Sequence, residues 1–253
     1  MVQHLDKEGY ETLSTLAGAD NFNKWMYETI RPFVKGRVLE TGSGIGNISA
    51  LLLETQKEVV LSDFSLPYTA VLLAHFKDHP HLSGILQMDL VDSRFDERHS
   101  SLFGSFDTII ALNVIEHVEE DGLAVGNCRK LLKQGGRFII LVPAYAGLYN
   151  RFDKELGHCR RYTKKTLQQL ISPHFSILQC RYFNLAGIAG WFFSGTILRK
   201  KIIPSSQMRC FNALVPLFRV LDKMGLRRIG LSVWAVGTNN KSPSGAGTAA
   251  SDH

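Results

Sequence analysis

The chain has 253 residues, of which 45% are hydrophobic and 21% are charged. This length and composition suit one α/β domain with a complete core, and they exclude a disordered chain, collagen and a coiled coil. The net charge of +6 is unevenly divided: residues 1–150 hold 13 Lys and Arg against 19 Asp and Glu, whereas residues 151–253 hold 16 against 4. A basic carboxyl-terminal part favours an anionic substrate, nucleic acid or a membrane surface as partner, and a solvated basic face is the simpler alternative.

Short apolar runs alternate with helix-like segments along most of the chain. Their nearly continuous hydrophobicity is typical of strands covered by helices on both faces, and the alternation predicts a doubly wound, mostly parallel α/β sheet. The predicted strands are 37–41, 58–62, 84–88, 106–112, 136–142, 176–183 and, after a long gap, 231–236. The predicted helices are 47–55, 67–78, 120–133 and 164–171, with Gly135-Gly136 ending the third and Thr163 capping the fourth.

The segments before, after and within this alternating pattern of strands and helices define the expected domain organisation. We expect a single domain over 1–240, with a helical cap at 1–36, a helical lid or substrate-binding insertion at 184–228, and a disordered tail at 241–253. Aromatic residues followed by basic ones predict either a membrane-surface contact through 184–203 or a lid helix over an apolar pocket, and both interpretations stay open. The apolar run 185–198 is too short to cross a bilayer.

The cysteine and histidine pattern bears on compartment and metal binding. Four cysteines stand far apart, without a CxxC pair or a histidine at metal-ligand spacing, so we expect reduced thiols and no metal site. The amino terminus shows no secretory signal. The expected location is therefore the cytoplasm, with peripheral membrane contact as an option.

A glycine-rich turn follows the first predicted strand. Glycines in Glu40-Thr41-Gly42-Ser43-Gly44-Ile45-Gly46 permit a tight turn and a close approach of a ligand to the backbone, but the spacing is GxGxG and not the dinucleotide GxGxxG. Glu40 would repel a pyrophosphate, whereas it suits a cofactor with an ammonium and a sulfonium. Asp63 and Asp89 end the next two strands, where carboxylates can accept ribose and adenine hydrogens.

Five segments in this order resemble the class I S-adenosylmethionine-dependent methyltransferases: VLETGSGIGN, LSDFS, ILQMDL, FDTIIALNVIEHVEED and LLKQGGRFIILVPA. The resemblance covers about residues 37–143 and implies a seven-stranded sheet with an antiparallel last strand, with S-adenosylmethionine as cofactor. The residues it implies for the cofactor are Glu40, Gly42, Ser43 and Gly44 for the methionyl part, Asp63 for the ribose, Phe64, Met88 and Asp89 for the adenine, and the backbone carbonyl of Asn113 for the methionyl ammonium.

A second segment, LYNRFDKELGHCRRY at residues 148–162, resembles the GHxRRY signature of a bacterial subgroup of these enzymes. Because it follows the fifth strand, we expect it beside the transferred methyl group, with His158 as candidate general base and His117 as a second candidate. The predicted substrate-binding residues are Tyr149, Arg160, Arg161, Tyr162 and Trp191, with the arginines clamping a carboxylate or phosphate. The structural alternative is that His158 and the arginines cap the next helix or pair with Asp153 and Glu155.

The function that these residues predict is methyl transfer to an oxygen or nitrogen of a small or lipid-linked, anionic acceptor. An RNA methyltransferase or RNA-binding protein is one alternative, suggested by the pI of 9.2. The fourth strand ends in Ala111-Leu112-Asn113-Val114 and not in a base-methylating Asn-Pro-Pro-Tyr-like tetrapeptide, so nucleic acid is not the expected partner. The other alternative is a non-catalytic S-adenosylmethionine-binding protein, which the intact glycine turn disfavours.

Overall fold

The structure, a computed structural model, describes residues 7–224 and 228–240. Seven strands form one sheet in the order β3-β2-β1-β4-β5-β7-β6. The strands are β1 (Val38–Thr41), β2 (Val59–Asp63), β3 (Leu82–Gln87), β4 (Phe106–Leu112), β5 (Leu132–Pro143), β6 (Ser176–Phe183) and β7 (Ser232–Thr238). Pairs among β1 to β5 are parallel, and β7 is antiparallel to both β5 and β6. The expected fold class, a mostly parallel seven-stranded sheet with an antiparallel last strand, is confirmed.

Helices cover both faces of the sheet. They are α1 (Lys7–Ala17), α2 (Asp20–Ile30), α3 (Ser49–Thr55), α4 (Leu66–Phe76), α5 (Phe95–His99), α6 (Asp121–Leu131), α7 (Arg151–Glu155), α8 (Lys164–Ile171), α9 (Gly187–Trp191) and α10 (Ser205–Met224). Successive residues of β5 point to opposite sides: Phe138 and Ile140 belong to one apolar cluster, Ile139 and Leu141 to the other. This alternation explains why the buried strands read as continuous apolar runs.

The predicted element ends differ from the observed ones in places. The third predicted helix, 120–133, ends earlier, because the chain enters β5 at Leu132, before the two glycines. Gly135, with φ of 73°, therefore lies within a strand and does not terminate a helix. Thr163 does cap α8, where its hydroxyl accepts a hydrogen bond from the backbone N–H of Thr166.

The amino-terminal helices and the insertion before β7 meet above the sheet. Asn212 on α10 accepts a hydrogen bond from the backbone N–H of Phe22 on α2, and Arg219 pairs with Glu28 at 2.6 Å. Within 184–228, the described residues form α9, a π-helical turn (Phe192–Ile197) and α10. Among the described residues, no helix has the length and apolar character needed to cross a membrane. The tail predicted at 241–253 lies outside the described residues.

Candidate active site

The glycine turn after β1 is shaped by positive φ angles. Gly42, Gly44 and Gly46 have φ of 63°, 55° and 93°, in the left-handed region that favours glycine. A Cβ at Gly42 would collide with the side chain of Val114, and one at Gly46 with the ring of Phe76. The turn thus has its glycines for steric reasons, and it leaves the backbone at the amino end of α3 open to a ligand.

Two buried carboxyl groups flank this turn. Asp63, at the end of β2, accepts hydrogen bonds from the backbone N–H groups of Gly44 and Ser65, each at 2.9 Å. Burial raises its pKa, although these hydrogen bonds oppose the rise. Glu40 is 5% exposed and accepts a hydrogen bond from the hydroxyl of Ser49. Burial raises the pKa of Glu40 to about 7, against the hydrogen bonds from serines and with a smaller contribution from the charge of Asp63.

One cavity of about 910 Å³ joins these groups to the rest of the site. Every residue predicted to bind the cofactor lines it: Glu40, Gly42, Ser43, Gly44, Asp63, Phe64, Met88, Asp89 and Asn113. Asn113 follows β4 with φ of 54°, and its N–H donates to the carbonyl of Leu141. This part of the cavity fits a cofactor that carries a positive charge at one end and a ribose. Its carboxyl groups can bind both, and side chains larger than glycine would clash in the turn.

A buried network centred on Asp153 borders the cavity, because two of its members, His158 and Arg161, line it. The network lies on α7 and the loop after it, where Asp153 is also part of the capping box of α7. One carboxylate oxygen of Asp153 accepts from Nδ1 of His158 at 2.8 Å and from Nε of Arg161 at 2.7 Å, and the other accepts from the backbone N–H of Asn150. Burial opposes ionisation of Asp153, but the hydrogen bonds from His158 and Arg161 outweigh it and lower its pKa. With Nδ1 donating to Asp153, the neutral form of this imidazole has its lone pair on Nε2.

His117 lies beside this network. It also lines the cavity, and its ring meets that of His158 edge to face with centroids 4.7 Å apart. Loss of hydration at this position, with His158 nearby, lowers its pKa to about 4. The imidazole of His117 is therefore neutral at physiological pH.

Glu116 is a cavity residue that sequence reasoning missed. Its side chain is fully buried, and neither carboxyl oxygen has a hydrogen-bond partner among the described residues. Burial raises its pKa to about 8. The only signal for it in the sequence is its position directly before His117, because burial of a glutamate is decided by the fold.

The predicted substrate-binding residues divide into two groups. Arg161 and Trp191 line the cavity, and the guanidinium of Arg161 stacks on the indole at 4.8 Å. Arg160 points elsewhere: it donates to Asp121 at 3.0 Å and to the carbonyl of Glu119 at 2.7 Å. The two arginines therefore do not form a shared clamp in this structure, and Arg161 is already paired with Asp153, as the structural alternative had it.

The two predicted tyrosines also lie outside the cavity lining. Tyr149 donates to the carbonyl of His158 at 2.8 Å, so it supports the loop that carries the imidazole. Tyr162 is 4% exposed and donates to Asp121 at 2.8 Å. Both contacts are made to protein groups, so these hydroxyls fix the GHxRRY segment in place.

Comparison with known proteins shows that part of this chain matches a protein family. The family described as "Methyltransferase domain" matches residues 39–138, the part with the glycine turn and the first four strands. Residues 39–138 are therefore similar to the methyltransferase-domain family. The seven-stranded sheet is the class I methyltransferase fold, and the family match within it supports S-adenosylmethionine as the cofactor.

Similar proteins are distant and match only in part. A highly reducing polyketide synthase of Aspergillus carbonarius is 26% identical over 161 residues, which are 52% of this chain and 6% of that protein. A ubiquinone biosynthesis O-methyltransferase of Xanthomonas oryzae is 26% identical over 104 residues, 41% of each chain. This chain thus spans less than half the length of either relative. A S-adenosylmethionine-dependent methyltransferase of Archaeoglobus fulgidus has the same fold, with a TM-score of 0.57, 16% identity, and coverage of 87% of this chain and 94% of that one.

Proposed function

We propose that this protein transfers the methyl group of S-adenosylmethionine to an oxygen or nitrogen of a small or lipid-linked acceptor that has an apolar body and an anionic group. The observation that carries the proposal is the continuity of the cavity, which runs from Glu40 and Asp63 at the glycine turn to His117 and His158. A donor at the turn and an acceptor at the histidines would share this one cavity.

The residues of the chain supply position and proton transfer. When bound, S-adenosylmethionine supplies an electrophilic methyl group on a good leaving group, so alignment and exclusion of water are the main tasks of the protein, and orientation is worth roughly 7 to 11 kcal/mol. With the cofactor bound, the acceptor atom would take the methyl group as the carbon–sulfur bond breaks, and Nε2 of His158 would accept the proton that the acceptor loses. Asp153 holds the ring in the required tautomer and stabilises the imidazolium that results, through its 2.8 Å hydrogen bond.

The cavity wall supports an acceptor with an apolar body. Phe152 packs edge to face on Trp191 at 5.0 Å, and Phe183 and Phe211 contribute further aromatic surface. The cavity lining, as far as the chain is described, has one Lys or Arg, namely Arg161, which is paired. We therefore assign the anionic group of the acceptor to the exposed basic segment 199–201, two residues before the cavity-lining Ile203.

A lipid-linked acceptor would be reached at a membrane surface. One face of α10 exposes a stripe of apolar side chains at helical spacing: Leu214, Leu217, Val220, Leu221 and Met224. Exposed Arg209 and Lys223 lie on the same helix, and the basic segment 199–201 precedes it. An apolar stripe with cationic neighbours suits an anionic lipid surface, so we extend the contact predicted for 184–203 to α10.

The proposal is tested in two steps. Calorimetric titration with S-adenosylmethionine and S-adenosylhomocysteine should show binding of both, and binding of neither would reject the enzyme. Lipid and metabolite extracts incubated with an isotope-labelled methyl donor should then yield labelled anionic products. Substitution His158→Gln should lower turnover roughly 10²- to 10⁴-fold with unchanged affinity for the methyl donor. Labelling of neutral polar products alone, or salt-sensitive binding of RNA, would contradict the acceptor class.

A further inference from the structure

Three potential metal ligands converge on one side of the cavity. A carboxylate oxygen of Glu116 and one ring nitrogen each of His117 and His158 all lie within 4.8 Å of one another. All three residues line the cavity. Their positions on the loop after β4 and the loop after α7 are far apart in sequence, which is why the spacing of histidines indicated no metal site.

The carboxyl group of Glu116 lacks the binding partner that a buried polar group normally has. Both of its oxygens are buried without a hydrogen-bond partner among the described residues. A buried polar group without a partner costs about 1 to 3 kcal/mol, and more when it is charged. The charge of Arg161 acts on Glu116, but its guanidinium donates to Asp153 and to the carbonyl of Ala144, so it does not supply that partner.

The surroundings of His158 are those of a metal ligand. Nδ1 donates to a buried carboxylate, and that carboxylate is itself held by Arg161 and the backbone of Asn150. Histidines that bind metals usually donate their second ring nitrogen to such a carboxylate, which fixes the ring and raises the basicity of the ligating nitrogen. Asp153 would then be a positioning residue for the site.

We propose that Glu116, His117 and His158 bind a divalent first-row metal ion such as Zn²⁺ or Mn²⁺ through two imidazole nitrogens and one carboxylate oxygen. This donor set is typical of catalytic sites that keep further coordination positions open, and here these positions would face the cavity. The role of the ion rests on the proposed function: an acceptor oxygen in an open position would have its pKa lowered by the ion. With a metal bound, Nε2 of His158 would be a ligand, and the ion would activate the acceptor in place of His158 acting as general base.

The test measures metal binding without acceptor or methyl donor. The untagged full chain is freed of metal with a chelator and titrated with Co²⁺, whose visible absorption reports coordination by nitrogen and oxygen, and with Zn²⁺ by calorimetry. One ion per chain should bind. Glu116→Gln, His117→Gln and His158→Gln should each weaken binding at least tenfold, and Asp153→Asn should weaken it 10- to 100-fold. His79→Gln is the matched control, because His79 and His81 form a second close pair of rings at 5.5 Å, and it should bind as the wild type does.

The outcomes separate this inference from the proposed function. Circular dichroism confirms that each variant is folded before its binding is compared. The metal site is overturned if the wild type fails to bind one ion. It is also overturned if Glu116→Gln and His158→Gln bind the ion as tightly as the wild type does. Binding of S-adenosylmethionine by a chain that binds no metal rejects the inference alone, whereas binding of metal by a chain that binds no methyl donor rejects the proposed function alone.

Discussion

The carboxyl group of Glu40 provides the sharpest prediction, because folding favours its neutral form and a cationic cofactor favours its ionised form. The pKa of Glu40 is raised from 4.5 to about 7, first of all by burial. Folding therefore favours the neutral form, while an ammonium or sulfonium requires the ionised one. Substitution Glu40→Gln keeps the shape and fixes the side chain in a neutral form.

The sign and size of the effect on stability follow from proton linkage. Between pH 4.5 and about 7, the unfolded chain loses the proton of Glu40 and the folded chain retains it. The contribution of Glu40 to the free energy of unfolding is thus fully present below pH 4.5 and falls by about 1.4 kcal/mol per pH unit, a total of about 3 kcal/mol near pH 7. Without cofactor, Glu40→Gln should match the wild type near pH 4.5 and be more stable by about 3 kcal/mol at pH 7.

The affinity for the cofactor should rise with pH, whereas the stability contribution of Glu40 falls. The affinity of the wild type for S-adenosylmethionine should rise up to tenfold per pH unit below pH 7 and then level, while that of Glu40→Gln should be lower and independent of pH in this range. Chemical denaturation and calorimetry from pH 5 to 8 measure the two quantities. The control is Glu54→Gln, an exposed glutamate on α3. Parallel stability curves together with unchanged affinity would refute the assignment of Glu40 to a cationic ligand.

Three further predictions concern other parts of the site. Gly42→Ala, at φ of 63° and against a side chain behind the turn, should destabilise the fold by about 1 to 3 kcal/mol and weaken cofactor binding, and full retention of both in thermal and calorimetric assays would contradict the role of the turn. Asp153→Asn leaves the buried guanidinium of Arg161 without its carboxylate and should cost about 3 to 5 kcal/mol in denaturant unfolding, so a loss below 1 kcal/mol would show that the network is dispensable. Leu217→Asp, on the exposed stripe of α10, should lower binding to anionic vesicles at least tenfold with a change in stability of about 0.5 kcal/mol or less, whereas the exposed Leu123→Asp on α6 should leave vesicle binding unchanged; equal binding by both variants would contradict the membrane contact.

Local sequence patterns determined the architecture of this chain. The seven strands occur close to where apolar runs predicted them, because strands that are buried on both faces need nearly continuous hydrophobicity. The glycine turn could also be predicted, since positive φ at Gly42 and Gly44 excludes most other residues. Element ends were less exact: the third helix gives way to β5 at Leu132, where pairing with β4 outweighs the local signal for a longer helix.

Only the tertiary structure decided which side chains share the cavity. Arg160 and Arg161 are adjacent in the sequence, but adjacent residues in an extended segment point in opposite directions. Arg160 therefore pairs with Asp121 and Arg161 with Asp153. Glu116 and His158 are brought together by two separate loops at the carboxyl ends of β4 and β5, a proximity that no spacing in the sequence encodes. Burial and long-range contacts set the charge and partners of these groups, so the chemistry of the acceptor side depends on packing that a linear pattern does not contain.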